Sequence, residues 1–409
     1  MYILYLFLWL LLSVISVVQG QTGQTRSFIA QLHRADSLPI LFNLDMEEHA
    51  GKPTWIIRNG AERIPVTDIR YSGDSVSVSM PVFESAFRLR KTAAGMFNGQ
   101  WIKGTTTKDA IMPVTISSGT VKFPASRGKA SGDISGRWRV TFVRPNGTTR
   151  PAVAEFRQQG TKLTGTFLTP SGDYRYLDGT MSADSLQLSC FDGSHAYYFG
   201  AKLRTDGSLA DGVYASGATW MEKWYAVRDP DAALDESISA MQLRPGEDEI
   251  GFRFPDADSN MVSLKDERFR GKVVVIQVMG SWCPNCMDET AFLSNYYRRN
   301  RERGVEMIAL AYEYSTDFNR ASRSLKKFRD KYAVGYPMLI TGVTSADSLK
   351  TEKTLPQLTP IKAFPTTIFI GKDGKVKKIH AGFYGPGSGV HYDLYRKEFE
   401  ETITGLLNQ

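Results

Sequence analysis

With 409 residues, of which 42% are apolar and 23% charged, the chain has material for two or three folded cores and is globular in composition. The formal net charge of +7 arises from lysines and arginines scattered through both halves. That scatter favours solubility and argues against nucleic acid as a partner.

The first twenty residues, M-Y-I-L-Y-L-F-L-W-L-L-L-S-V-I-S-V-V-Q-G, form one apolar run ending in Val18 and Gly20, small residues placed as a signal peptidase requires. Residues 1–20 read as a cleaved export signal. The first basic residue is Arg26, and the run is long enough to cross a bilayer marginally, so a retained N-terminal anchor is the alternative. No cysteine ends the run, which argues against lipid attachment. Export to a periplasm or cell envelope places the remaining chain in an oxidising compartment. No later segment approaches a membrane span.

Residues 21–228 show short alternating runs separated by turn signals, with almost no helical period. The runs include S-V-S-V-S-M at 75–80, A-F-R-L-R at 86–90, W-R-V-T-F-V at 138–143 and S-L-Q-L-S-C at 185–190. Asn146-Gly147, Asp178-Gly179, Asp192-Gly193 and Asp206-Gly207 mark turns. An all-β barrel or sandwich follows. A faint repeat runs through it: G-D-S-V-S-V-S-M from Gly73 parallels A-D-S-L-Q-L-S-C from Ala183, each leading to a Gly-x-aromatic step, Gly99 to Trp101 and Gly212 to Tyr214. Two related β units and chance similarity of alternating strands are both compatible with this. Gly136-x-Trp138 resembles the opening strand of lipocalin-like barrels. Tyr174, Tyr176, Tyr197, Tyr198 and Trp220 are candidates to line a ligand cavity, with barrel-core packing as the competing reading. Cys190, in an apolar strand, reads as a small buried hydrophobe. Residues 229–246 form a polar linker with a short helix expected over 232–241.

From residue 247 strand and helix periods alternate, which indicates an α/β domain to residue 409. K-V-V-V-I-Q-V-M at 272–279 has the unbroken apolar character of a strand buried on both faces. G-S-W-C-P-N-C follows at 280–286, and then Met287, Ala291, Phe292 and Tyr296 make an apolar helical stripe that Gly304 terminates. Two of the three cysteines therefore sit at a strand-to-helix junction. There the unpaired N–H groups and the helix dipole favour a thiolate, and Pro284 costs no donor in the first turn. Cys283 is the expected nucleophile, and Cys286, one turn deeper, the resolving thiol. A zinc site would need a second ligand pair, and neither another C-x-x-C nor an H-x3-H exists. A purely structural disulfide would close a loop too short to be a useful staple. The chemistry resides in the two sulfurs, so the reading calls for no cofactor and no metal.

Further along, V-E-M-I-A-L-A-Y at 305–312 and Y-P-M-L-I-T at 336–341 are strands, separated by a helix with Phe318, Ala321, Leu325, Phe328 and Tyr332 on one side. The basic face of that helix, Arg320, Arg323, Lys326, Lys327 and Lys331, reads as solvated. T-T-I-F-I from Thr366 and V-K-K-I-H from Val376 flank a hairpin turn, and Tyr392, Tyr395, Phe399, Ile403 and Leu406 mark a closing helix.

C-P-N-C after an apolar strand, A-F-P-T-T-I-F-I opening the hairpin, and the lead-in G-F-R-F-P-D, V-S-L and R-G-K-V-V-V-I together resemble the thioredoxin fold. More narrowly they resemble the exported TlpA/ResA-like thiol-disulfide oxidoreductases, over residues 247–409. The resemblance implies that Pro365 is a cis-proline facing the cysteines, that Phe364 offers its backbone to an incoming peptide, and that Trp282 covers the thiol as a contact surface. It implies that Glu289, in C-x-x-C-x-x-E, manages the proton of Cys286; a glutamate merely favoured by the helix dipole is the alternative. It further implies a disulfide-containing protein substrate and a membrane-bound electron donor that restores the dithiol. Gln277 departs from thioredoxins, which carry a buried aspartate there, and an amide cannot take that proton. The expected activity is therefore an exported thiol-disulfide oxidoreductase working as a reductase. A peroxiredoxin-like peroxidase is the second enzyme class, although Gly280-Ser281-Trp282 precedes Cys283 where that chemistry wants a Thr-x-x-Cys. A β-domain ligand-binding protein with an accessory thioredoxin-like half is the non-enzyme rival.

Overall fold

The computed structural model describes residues 25–49, 51–120, 122–123 and 128–409, and the expected export signal at 1–20 lies outside them. Among the described residues no helix is long and apolar enough to cross a membrane.

The N-terminal half forms two antiparallel sheets, each of nine strands. In the first, Arg26–His33 pairs with both Pro39–His49 and Ala110–Ser118, which joins the start of the sheet to its end. Its two edges, Glu62–Val66 and Asp68–Ser72, are consecutive in the chain through Thr67, so one bent strand closes the sheet into a roll. In the second sheet Gly136–Val143 pairs with Thr149–Gln159 on one side and with Trp220–Arg228, the last strand, on the other. Setting aside the two-residue strand Gly172–Asp173, this is a closed up-and-down barrel. Alternation decides what faces in: Trp138, Val140 and Phe142 are buried while the residues between them are not. The interior is packed solid by rings such as Phe167 and Phe199, stacked at 4.5 Å, so the barrel body is a core and not a channel. Trp138 donates its indole N–H to Ile134 O at 2.9 Å under the Arg228 guanidinium, 4.6 Å from its ring. Arg228 in turn bonds the carbonyls of Asp133 and Ser135, which seals that end of the barrel.

The two segments that resemble each other in sequence occupy equivalent places. Ser75–Ser79 and Ser185–Phe191 are each the fifth strand of their unit, counting the bent segment as one strand, and the Gly-x-aromatic steps fall on the seventh, Phe97–Lys103 and Leu209–Ser216. A Cβ on Gly99 would lie 2.0 Å from Arg88 O, and one on Gly212 2.1 Å from Trp224 O. Both glycines allow the neighbouring strand to approach. Cys190 is 1% exposed and points into the second barrel's core, as a small hydrophobe does. Of the five aromatics singled out, Tyr174 and Tyr197 serve both the core and a cavity at the barrel mouth, and Trp220 lines that cavity. Tyr198 instead packs outward against Phe123, and Tyr176 lines a separate groove with Arg157 and Pro386.

The linker does not carry the helix expected over 232–241. It holds one 3-10 turn, Glu236–Ile238, because Ala232 and Met241 bury their side chains in different clusters and pull the backbone straight. The C-terminal domain is built from β1 (Val273–Met279), α1 (Pro284–Asn300), β2 (Val305–Ala311), α2 (Phe318–Tyr332), β3 (Met338–Ile340), α3 (Lys350–Thr354), β4 (Thr366–Ile370), β5 (Val376–Ala381) and α4 (Val390–Leu407). The sheet order is β3-β2-β1-β4-β5, with β1, β2 and β3 parallel and β4 antiparallel to both β1 and β5. Every residue of β1 is buried: Val273 and Val275 face α1 and α4, while Val274, Ile276 and Val278 face Leu355, Leu358 and Ile361. The central strand thus ends, at Met279, with its chain emerging between two covered faces. The basic face of α2 is not wholly solvated. Arg320 pairs with Glu84 at 2.8 Å and Lys327 reaches Phe83 O at 3.2 Å, both on the first barrel.

Candidate redox site

Residues 280–282 turn the chain from β1 into α1. A Cβ on Gly280 would lie 2.1 Å from Trp282 Nε1, so glycine lets the indole fold back over the turn. Trp282 then donates to Tyr312 O at 2.8 Å and stacks on Tyr314 with centroids 5.4 Å apart. Glu313 pins the same turn by accepting the Ser281 N–H at 2.9 Å and its hydroxyl at 2.6 Å. Burial pushes the Glu313 carboxyl above its ordinary range.

Cys283 caps α1. Its backbone is extended, φ −99° and ψ 113°, and its sulfur accepts the N–H of Cys286 at 3.2 Å, with Pro284 in the first helical turn. Negative charge on that sulfur would be held by the free N–H groups of the helix start. Cys283 and Cys286 are joined as a disulfide, Cα to Cα 5.2 Å; Cys283 is 5% exposed and Cys286 fully buried. The Phe364–Pro365 peptide bond is cis, and Phe364 O lies 3.6 Å from the Cys283 sulfur. Trp282 meets the Phe364 ring edge to face at 5.5 Å. The structure therefore brings Trp282, Cys283, Cys286, Phe364 and Pro365 together at one point.

Glu289 lies one turn deeper and is fully buried. One carboxylate oxygen accepts from the hydroxyls of Thr367 at 2.5 Å and Tyr395 at 2.8 Å; the other accepts from Gln277 Nε2 at 2.7 Å. Burial pushes its pKa up, and these three donors only partly oppose that. Gln277 Nε2 also reaches Cys286 O at 3.3 Å, and Gln277 Oε1 accepts from Thr290 at 2.9 Å. The Gln277 amide thus couples the resolving cysteine's backbone to the glutamate. Thr367 and Tyr395 were missed by sequence reasoning: the first looks like any strand residue, the second like core in a helical stripe.

A second set of residues comes from the barrel and carries no sequence signal. Ser194 donates to Trp282 O at 2.7 Å, Asn285 donates to Asp173 O at 3.1 Å, and Arg175 donates to Pro284 O at 3.0 Å. Three positions flanking Cys283, namely 282, 284 and 285, are thus held by residues at least 88 positions away. Arg175, at a left-handed φ of 57°, also binds the carboxylates of Glu62 in the first sheet and Asp288 in α1, with Asp192 3.8 Å away. Burial pushes Asp288 up to about 6 against the pull of that guanidinium. Between the barrel mouth and the redox turn lies a cavity of about 530 Å³ lined by Cys283, Trp282 and Phe364 on one wall and by Arg150, Tyr197 and Trp220 on the other.

Comparison with known proteins places similarity in the C-terminal domain. Residues 245–391 match the Redoxin family model. A thiol-disulfide oxidoreductase ResA from Bacillus thuringiensis subsp. konkukian is 30% identical over 135 residues, 33% of this chain and 68% of that one. The ResA of Halalkalibacterium halodurans is 28% identical over 140 residues, 34% of this chain and 69% of that one. A solved structure of a thiol-disulfide oxidoreductase from Bacteroides fragilis is 16% identical, covering 37% of this chain and 99% of that one, with a TM-score of 0.29. Through its C-terminal domain, with a cysteine pair at the head of a helix facing a cis-proline, the chain belongs to the ResA family of thiol-disulfide oxidoreductases.

Proposed function

We propose that the protein is an exported thiol-disulfide reductase acting on disulfide-containing protein substrates. In the reduced enzyme the Cys283 thiolate attacks one sulfur of the substrate disulfide. A Cys283–substrate mixed disulfide forms, and the other substrate sulfur leaves as a thiolate that takes a proton. Cys286 then gives up its proton and attacks the Cys283 sulfur, closing the enzyme disulfide and releasing the second substrate thiol. Two electrons pass from the cysteine pair to the substrate, and a membrane-bound dithiol donor returns them. Glu289 is the group we assign to the Cys286 proton. Burial raises its pKa, which favours the protonated form, and Gln277 ties it to the Cys286 backbone. Trp282 and Phe364 form the substrate contact surface, and Pro365 holds the Phe364 carbonyl towards the sulfur.

The observation that carries this reading is the placement of the Cys283 sulfur at a helix start, accepting the Cys286 N–H and 3.6 Å from Phe364 O. Cys286→Ser removes the resolving thiol, so Cys283 should accumulate as a stable mixed disulfide with substrate. Mass spectrometry of non-reduced adducts from the cell envelope checks this. Absence of any Cys283 adduct, with the variant folded and its thiol free, would refute the reading.

A further inference from the structure

Cys283 has 5% of its surface accessible, and it faces a space of about 530 Å³, within the size range of pockets that hold small ligands. The opposite wall is fixed to it. Gly172 of the second barrel packs so closely on Asn285 that a Cβ there would lie 2.2 Å from Asn285 Nδ2, and Tyr384 Oη donates to Thr169 O at 3.0 Å. A flat protein face cannot carry its disulfide into such a space. A narrow, extended chain can.

The charges around the opening are unequal. Arg144, in the turn that follows Gly136–Val143, and Lys362, just before the cis-proline, are exposed on opposite walls. Neither is in an ion pair among the described residues. The charge of Arg150 is matched by Glu222 at 2.8 Å. The other lining carboxylate, Asp173, is buried, and burial with the nearby Asp288 pushes it up to about 7, so it is only partly ionised near neutral pH. Two cations are left over at the rim.

We infer that this cavity is a substrate-recognition site shared by the second barrel and the redox domain, taking a disulfide borne on a short, extended, acidic peptide segment. Carboxylates of the segment lie against Arg144 and Lys362 while its sulfur meets Cys283. The inference rests on the exchange reaction proposed above and adds no redox step to it.

The test measures exchange rates of the reduced full chain with four disulfides. These are neutral hydroxyethyl disulfide, an unstructured cystine peptide with glutamate flanks, the same peptide with lysine flanks, and a compact folded protein with one surface disulfide. The glutamate peptide is expected to react about fivefold faster than the lysine peptide, the scale of two exposed charge pairs. The folded protein is expected to react at least tenfold more slowly than the glutamate peptide. Arg144→Glu combined with Lys362→Glu should invert the peptide preference, and a gain for the lysine peptide cannot come from misfolding. Equal rates for the two peptides, or for peptide and folded protein, with the neutral disulfide still exchanged, overturn the inference and leave the exchange reading intact. Failure to exchange even the neutral disulfide overturns that reading and this one with it.

Discussion

Glu289 is the buried group whose replacement separates proton transfer from packing. Glu289→Ala removes the acceptor of three donors, Thr367, Tyr395 and Gln277, all of them buried. A hydrogen bond to a charged group is worth about 1.5–3 kcal/mol. The two hydroxyls can turn toward one another, however, and removing the carboxylate also relieves its burial cost. A loss of about 3–5 kcal/mol is expected, read as a shift in the denaturant midpoint at constant slope. Glu289→Gln keeps the shape. Its carbonyl can accept from both hydroxyls, and its amide can face Gln277 if that side chain reverses and Thr290 accepts in place of donating, at the loss of the Gln277 donation to Cys286 O. The cost should be about 1 kcal/mol. Stability against pH supplies the sign. The folded carboxyl titrates above its unfolded value, so wild-type stability is full below the ordinary carboxylate range and falls as pH rises through the raised folded pKa. The Gln variant should lack that fall. In stopped-flow measurement of mixed-disulfide resolution from pH 5 to 9, wild type should show an inflection at the raised pKa. The Gln variant should lose the inflection and slow roughly a hundredfold, the lower end for a positioned acid or base. If Glu289→Gln resolves at the wild-type rate with the wild-type profile, Glu289 only fills space and the proton goes elsewhere.

Two further outcomes follow from the interior of the molecule. Arg175→Met leaves Glu62, Asp192 and Asp288 without their shared cation and should cost about 3–5 kcal/mol near neutral pH. The deficit should shrink toward pH 5 as Asp288 takes a proton, and a loss in chemical denaturation independent of pH would contradict the assignment. Cys190 is buried, and burial pushes its thiol well above the ordinary value. Iodoacetamide should therefore label the reduced native protein at Cys283 and spare Cys190, while all three cysteines react after unfolding. Mass spectrometry of the peptides reads this directly, and native labelling of Cys190 would show that it is not sealed in the barrel core.

Much of the redox domain was legible because its signals are local. The apolar run that becomes β1, the cysteine that caps α1, the proline at its first turn and the hairpin of β4 and β5 each involve neighbours in sequence, where period and turn chemistry apply. The β character of the N-terminal half was equally plain from alternation. The expected linker helix failed because two anchoring side chains, Ala232 and Met241, overrode a weak helical period.

What the sequence by itself determined is the pair of sulfurs at a helix start, since a handful of adjacent residues suffices to build a helix cap. Tertiary structure alone decided what surrounds them. Strand alternation says which side chains face inward but not which strands meet, so the closure of the barrel through Gly136–Val143 and Trp220–Arg228 could not be read from it. The approach of Ser194, Asp173 and Arg175 to Trp282, Asn285 and Pro284 likewise spans 88 to 112 positions, distances over which no periodicity operates. Such contacts arise where two separately closed cores come to rest against each other, and there the accessible face of Cys283 is set.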